Sequence, residues 1–400
     1  MTELLRRERF VVLLIGAVQF VNILDFMMVM PLGPDFAKAL GISMAHIGYL
    51  GGSYTMAAAF AGIAGASFLD RFDRRKVLAI CMLGLGIGTV AGGFAQGFWS
   101  LIAARVVAGA FGGPATAVAL AIVSDVVPKE RRGKAMGTVM TAFSVSSILG
   151  VPAGLEVARL LGWRAPFIGV ACLSLVISSL VIYYLPSLTG HFKARGVETE
   201  QVPLFNSLSI TSLVGTSLTM VGVFAVVPNI SAFLQNNVGY PRERLGLLYL
   251  LGGTTTFFAT RRIGMLVDRY GATRIITVGT ALFATALYFG FIRPVSPALV
   301  VFVFPLLMLA GSARGVPMNA LSSRVPKPEQ RARFMSAQSA VQHLSSSTGA
   351  LLSSTVLTAD SSGRLQGMQW VASAAIIVAM LVPFVAHRVE ARVQLRERAS

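Results

Sequence analysis

Gly264-Met265-Leu266-Val267-Asp268-Arg269-Tyr270-Gly271-Ala272-Thr273-Arg274 closes one apolar run of helix length and precedes another. A weaker copy stands 198 positions upstream: Ala66-Ser67-Phe68-Leu69-Asp70-Arg71-Phe72-Asp73-Arg74-Arg75-Lys76, again between two apolar runs. A second echo keeps the spacing, in Val127-Pro128-Lys129 and Val325-Pro326-Lys327. Two separate motifs repeated at one interval mean that a module of about half the chain is duplicated.

The module belongs in lipid. Only 13% of the 400 residues are charged, 54% are hydrophobic, and the mean hydropathy is +0.71; a soluble domain carries about a quarter charged residues. The net charge of +17 does not point to nucleic acid, because the basic groups sit in short loops between apolar runs of about twenty residues, the length of a membrane helix. Cys81 and Cys172 both fall inside such runs, so no disulfide framework, metal centre or redox motif is expected. No cofactor is implied. The first apolar run, 10–32, is longer than the core of a signal peptide and has no cleavage-like end.

Twelve spans are predicted, over 10–32, 46–68, 77–95, 99–124, 134–157 and 164–185 in the first half. Those of the second half are 207–236, 245–266, 274–292, 297–321, 334–357 and 365–387. The expected organisation is a six-helix bundle over 1–185, a polar cytoplasmic linker over 186–206, and a second bundle over 207–400. This is an all-α membrane protein of twelve transmembrane helices in two pseudo-symmetric halves. Twenty-five of the 34 Lys and Arg fall on the side of the termini and the even-numbered loops, and seven on the other. That asymmetry places both termini in the cytoplasm of a cell with an inner, plasma membrane. Runs such as Gly84-Leu85-Gly86-Ile87-Gly88 and Ser144-Val145-Ser146-Ser147 suit close helix packing in lipid.

At these motifs the chain resembles the major facilitator superfamily over essentially its whole length, and within it the twelve-span drug/proton antiporter branch with its drug- and sugar-efflux members. The family's loop between spans 2 and 3 reads G-x-x-x-D-R-x-G-R-[RK]. Asp70, Arg71 and Arg74 match it, with Ala66 and Asp73 in place of the glycines; Gly264, Asp268, Arg269, Gly271 and Arg274 match better in the second half. Arg105 and Gly109 resemble the R-x-x-x-G pattern of span 4, and Asp125 through Gly133 the loop after it. Gly150-Val151-Pro152-Ala153-Gly154 resembles the antiporter motif of span 5, with Val151 interrupting the usual Gly-Pro pair. The resemblance implies two bundles that alternate access to a central site, with Asp70, Arg71, Arg74, Asp125, Asp268, Arg269 and Arg274 as gating residues.

Asp25 is the sharpest single residue, a carboxylate well inside span 1. Burial opposes its charged form and a nearby cation supports it, so it suits proton uptake and release. Arg105, at about the same depth in span 4, is the expected partner. Glu156 and His343 are further candidates for proton coupling. Gln19, Asn22, Phe26, Met30, Asn229, Phe233, Arg314, Gln338 and Gln342 supply polar and adaptable apolar groups for a substrate cavity. Arg314 with His343 suits an anionic group. For each residue the plain alternative is packing or topology.

These readings predict a secondary transporter, not an enzyme: proton-coupled efflux of a small organic or amphipathic compound, acting as a monomer with substrate, protons and membrane lipids as partners. No G-x-x-x-x-G-K-[ST] motif supports ATP drive. A lipid or amphiphile flippase, and proton-coupled uptake, are the alternatives.

Overall fold

The computed structural model describes residues 2–128, 131–188, 206–293, 296–326 and 330–399. Side chains are described for all of these except 2–7, 66–68, 70, 134, 331–332 and 398–399. The linker reading falls mostly outside them.

Each predicted span contains a helix, although span 7 is interrupted after Phe224 and span 12 starts at Met368, because Leu365–Gln366 is a strand. Span 1 is Thr2–Val29, span 2 Ile47–Phe68, span 3 Arg74–Gly93, span 4 Phe98–Val126 and span 6 Arg164–Tyr184. Span 5 runs as Arg132–Val145, a π-helical turn over Ser146–Gly150, and Val151–Leu161. Span 7 is Ser207–Phe224 continued by Ile230–Asn236, span 8 Leu245–Tyr270, and span 9 Ala272–Leu287 ending in a π-helical turn over Tyr288–Ile292. Spans 10, 11 and 12 are Val300–Ser323, Arg331–Val356 and Met368–Ala399. Among the described residues nine helices are long and apolar enough to cross a membrane. Spans 2, 8 and 11 are helices of 22, 26 and 26 residues that carry Gly, Ser, Thr and Gln where the others carry aliphatics. The fold is the twelve-helix one, with one small addition: Thr358–Ala359 pairs antiparallel with Leu365–Gln366 between spans 11 and 12.

The breaks have local causes. Proline has no N–H to give and its ring crowds the preceding turn, so Pro152 follows the widened turn of span 5 and Pro228 sits in the 3₁₀ step of span 7. Gly162 and Gly271 end spans 5 and 8 at φ +90° and +87°, a region costly for residues with a Cβ.

Contacts divide the chain into two units, Met1–Ile42 with Ser53–Glu200, and Ser43–Gly52 with Gln201–Ser400. Residues 43–52 join the second because Ser347 Oγ donates to Gly52 O at 2.8 Å. In the first unit span 3 packs against spans 4 and 6. A Cβ on Gly88 would lie 2.5 Å from Ala108 N, and Ser174 and Ser178 donate to Met82 O and Ala79 O at 2.6 and 2.9 Å. Small residues and hydroxyls do this work in lipid, where apolar side chains gain little by pairing. In the second unit Leu213, Ile276, Met318, Phe334, Val382 and Val389 form a buried cluster.

Candidate functional site: a buried ion pair in the first unit

Asp25 is 0% exposed and Arg105 1%. The guanidinium engages the carboxylate with both arms, Nη1 to Oδ1 at 3.1 Å and Nη2 to Oδ2 at 3.0 Å, and Nη2 also reaches Asp25 O at 3.5 Å. Thr89 Oγ1 of span 3 lies 2.7 Å from Asp25 Oδ1 and 2.8 Å from Leu85 O; its single proton serves one of them at a time. The Tyr54 ring of span 2 lies 4.6 Å from the Arg105 guanidinium carbon, a cation–π contact. Tyr54 Oη donates to Asn22 Oδ1 at 2.9 Å, and Asn22 Nδ2 donates to Gly112 O and Thr116 Oγ1 at 2.8 and 2.7 Å. Thr116 Oγ1 in turn stands 3.3 Å from Gln19 Oε1. Phe26 packs on Tyr54, ring centroids 5.4 Å apart.

The helices reach this geometry through glycine. A Cβ on Gly109 would meet Tyr54 O at 2.2 Å, and one on Gly113 would meet Ala58 O at 2.4 Å. Span 2 therefore lies directly on span 4, which sets Tyr54 under Arg105. Span 5 brings its motif to the same stretch of span 1: Ser146 Oγ donates to Phe20 O at 3.1 Å, and a Cβ on Gly150 would lie 2.8 Å from a Leu24 methyl.

Other expected site residues lie elsewhere. Glu156 is half exposed and bonded to Arg159 at 3.0 Å, one turn along its own helix and outside the Asp25 cluster. Gln19 and Asn22 are 1% and 5% exposed, so they belong to the buried network and do not face a cavity. Met30 is buried at 5%. Asn229 donates to Ser353 Oγ at 3.1 Å, and Phe233 stacks on Phe291 at 5.2 Å. Gln338 and Gln342 both donate to Asn319 Oδ1, at 3.0 and 3.1 Å. His343 is half-buried without a hydrogen-bond partner among the described residues, and Arg314 is fully buried; neither joins the Asp25 cluster.

The two loop motifs differ. Arg74 Nη1 and Asp125 Oδ2 lie 2.5 Å apart, tying the first residue of span 3 to the end of span 4. Arg71 is exposed, and the Asp70 side chain is outside the described residues. In the second unit no such pair forms among Asp268, Arg269 and Arg274, all exposed, because the position 198 residues after Asp125 is Ser323. Arg269 rests on Tyr270 at 5.2 Å. Asp268 and Arg274 line a cavity of about 620 Å³ at the ends of spans 8, 9, 10 and 12. Two acids that the motif reading passed over are capping groups. Asp73 accepts from Arg75 N, Leu188 N and Ser187 Oγ at 3.0, 2.9 and 2.8 Å. Glu390 of span 12 accepts from Ala272 N and Thr273 N at 2.8 and 3.0 Å.

The family model described as Major Facilitator Superfamily matches residues 15–212 and again 212–399. The chain belongs to the Major Facilitator Superfamily. It is similar to the Chloramphenicol resistance protein of Streptomyces lividans, 26% identical over 358 residues, 88% of this chain and 89% of that one. It also resembles the Uncharacterized MFS-type transporter YbcL of Bacillus subtilis, 25% identical over 249 residues, 62% of this chain and 63% of the relative. Among solved structures it shares its fold with a bacterial homolog to human lysosomal transporter Spinster, with a TM-score of 0.75 at 15% identity, covering 97% and 98% of the two chains. Major facilitators are multi-pass membrane transporters of small molecules, and this chain is one.

Within this superfamily member the residues missed at first were Tyr54, Thr89 and Thr116. Each is an uncharged hydroxyl in an apolar helix, and nothing in its spacing marks it. The only trace was Gly109 and Gly113, whose missing side chains announce a close approach without naming what approaches.

Proposed function

We propose that the protein exports a small organic compound across the inner membrane in exchange for protons, as a monomer with both termini in the cytoplasm, by alternating access. The observation that carries this is the Asp25–Arg105 pair, an acid and a base with no exposure inside the spans. Breaking a buried pair is costly, on the order of 3–5 kcal/mol. A proton on Asp25 removes the carboxylate's charge and releases one arm of Arg105. Thr89 is built for both states. It donates to the charged carboxylate; when Asp25 carries the proton, the hydroxyl turns to Leu85 O and accepts from the acid. Proton binding thus changes the contacts between spans 1, 3 and 4 and leaves one arm of Arg105 free. The Arg74–Asp125 pair acts as a gate that holds one conformation. The likeness to a chloramphenicol resistance protein supports the export direction.

The test is substrate flux in liposomes under imposed internal and external pH, for wild type and Asp25→Asn. The variant mimics the protonated acid and is expected to lose gradient-driven flux while exchange without a gradient survives. Unchanged gradient-driven flux in Asp25→Asn removes Asp25 as the coupling site.

A further inference from the structure

Arg314 is the described residue of the second unit with the most buried polar atoms left unsatisfied. It is 0% exposed in span 10, and Nε, Nη1 and Nη2 are all buried without a hydrogen-bond partner. An arginine does not escape by losing its proton. The described acids of this unit stand elsewhere. Glu243, Asp268 and Asp360 lie at span ends or in loops, Glu390 caps span 9, and Glu397 pairs with Arg324.

The surroundings say what would satisfy it. The guanidinium carbon lies 4.4 Å from the Phe283 ring centre on span 9, a contact that offsets only part of the desolvation of the charge. One turn from Phe283, Thr280 Oγ1 is a second buried polar atom without a partner. On span 7 a Cβ at Gly222 would lie 4.0 Å from Arg314 Nη2 and 3.9 Å from Val378 of span 12. Met318, one turn on from Arg314, is buried. A Cβ on Gly311 or Gly315, three residues before and one after Arg314, would meet nothing within 4 Å. A forked cation thus sits among aromatic and aliphatic groups, on a helix with open space beside it.

We infer that Arg314 is the anchor for the carboxylate of a small amphipathic organic acid, bound between spans 7, 9 and 10 with its apolar body against Phe283 and Met318. Two parallel N–H groups match the two oxygens of a carboxylate, and charge-assisted bonds in a dry site are strong ones. Thr280 Oγ1 provides a further hydroxyl on the same face as Phe283. This names the substrate class of the transport proposed above and rests on that reading.

The experiment is thermal unfolding of the purified full chain in detergent, titrated with octanoate, 4-phenylbutyrate and the neutral amide of each. For the wild type at least one acid is expected to raise the unfolding temperature, and its amide is not. Arg314→Lys is expected to keep part of that shift. Arg314→Met is expected to need at least tenfold more acid for the same shift. Without ligand Arg314→Met is expected to melt at or above the wild-type temperature, because it removes a buried charge that has no protein partner. Equal effects of acid and amide, no response to either acid, an undiminished shift in Arg314→Met, or a lower melting point of that variant, including failure to fold, each overturn the inference. None of these results touches the Asp25→Asn flux comparison, so the coupling reading and this one fail separately.

Discussion

Asp25 is held by hydrogen bonds from two elements, two arms of Arg105 on span 4 and the Thr89 hydroxyl on span 3, with the chain Tyr54–Asn22–Thr116 behind them. Tyr54 does two jobs there, and they separate by substitution. Tyr54→Phe keeps the ring beneath Arg105 and strips the donor from Asn22 Oδ1, a buried acceptor, which costs about 1–3 kcal/mol. Tyr54→Leu also removes the cation–π contact, a further loss of about 0.5–2 kcal/mol. The expected order of unfolding temperatures is wild type, then Phe, then Leu; a Phe variant as unstable as Leu would mean that the ring contributes nothing. Thr89→Val keeps the shape and deletes the hydroxyl that lies between Asp25 Oδ1 and Leu85 O. Its expected effect is a fall in gradient-driven flux larger than any fall in gradient-free exchange, measured side by side in liposomes. The spacing of Asp25 and Arg105 at similar depth was legible from helix rise alone. Their hydroxyl partners were not, because a single Thr or Tyr in an apolar helix looks the same whether it faces lipid, a neighbour or a carboxylate.

At the scale of elements, glycine and capping acids decide which helices touch. Gly109→Ala places a methyl 2.2 Å from Tyr54 O, against backbone that cannot swing aside, so span 2 must move off span 4. The variant is expected to lose both the Tyr54–Arg105 contact and transport, whereas Gly133→Ala, whose Cβ meets nothing within 4 Å, is expected to leave transport unchanged. Asp73 is the cap of span 3. Burial pushes its pKa up, but hydrogen bonds from Leu188, Ser187 and Arg75 outweigh this and hold it below the usual carboxylate value. A depressed carboxylate contributes stability above its unfolded pKa, near 4, and the contribution fades as pH falls through the lower folded value. Asp73→Ala is therefore expected to cost about 0.5–2 kcal/mol at neutral pH, with a difference from wild type that shrinks below about pH 4, read by unfolding across pH. At the equivalent place in the second half the chain has Gly271, and the cap arrives from Glu390 on span 12. The repeat was visible in the motif; the exchange of a local cap for a distant one was not, since residues 118 apart carry no shared pattern.

For the whole molecule, the charge asymmetry of the loops leads to a topology that reporters can check. A reporter active only in the cytoplasm is expected to work when fused after Ser400 and when inserted in the 186–206 linker. A single cysteine at Phe192 is expected to resist impermeant labelling in intact cells, and ready labelling there would reverse the orientation. The Arg74–Asp125 pair is partly exposed, so its effect on stability is small, about 0–1 kcal/mol. If it is a gate, Arg74→Asp is expected to cut transport and the swap Arg74→Asp with Asp125→Arg to restore much of it; a swap as inactive as the single change would deny the pair that role.

The sequence by itself determined the class of molecule, the number of spans, the duplication and the likeness to transporters. These follow from the length of apolar runs, the placement of charge and the recurrence of motifs, all of which are properties along the chain. It also marked Asp25, Arg105 and Arg314 as misfits, because a charge in an apolar run must be accounted for wherever the helix goes. Only the tertiary structure decided which misfits are reconciled. Asp25 and Arg105 meet and neutralise one another. The positions 198 residues further on hold Val223 and Val303, so the second unit has no equivalent pair, and Arg314 is left without an acid. Glu156, the second acidic candidate, turns to an exposed face and a neighbour three residues away. The physical reason is that burial and pairing are set by how helices rotate and close on one another. That rotation is fixed by small residues and hydroxyls, which contribute almost nothing to a hydropathy profile.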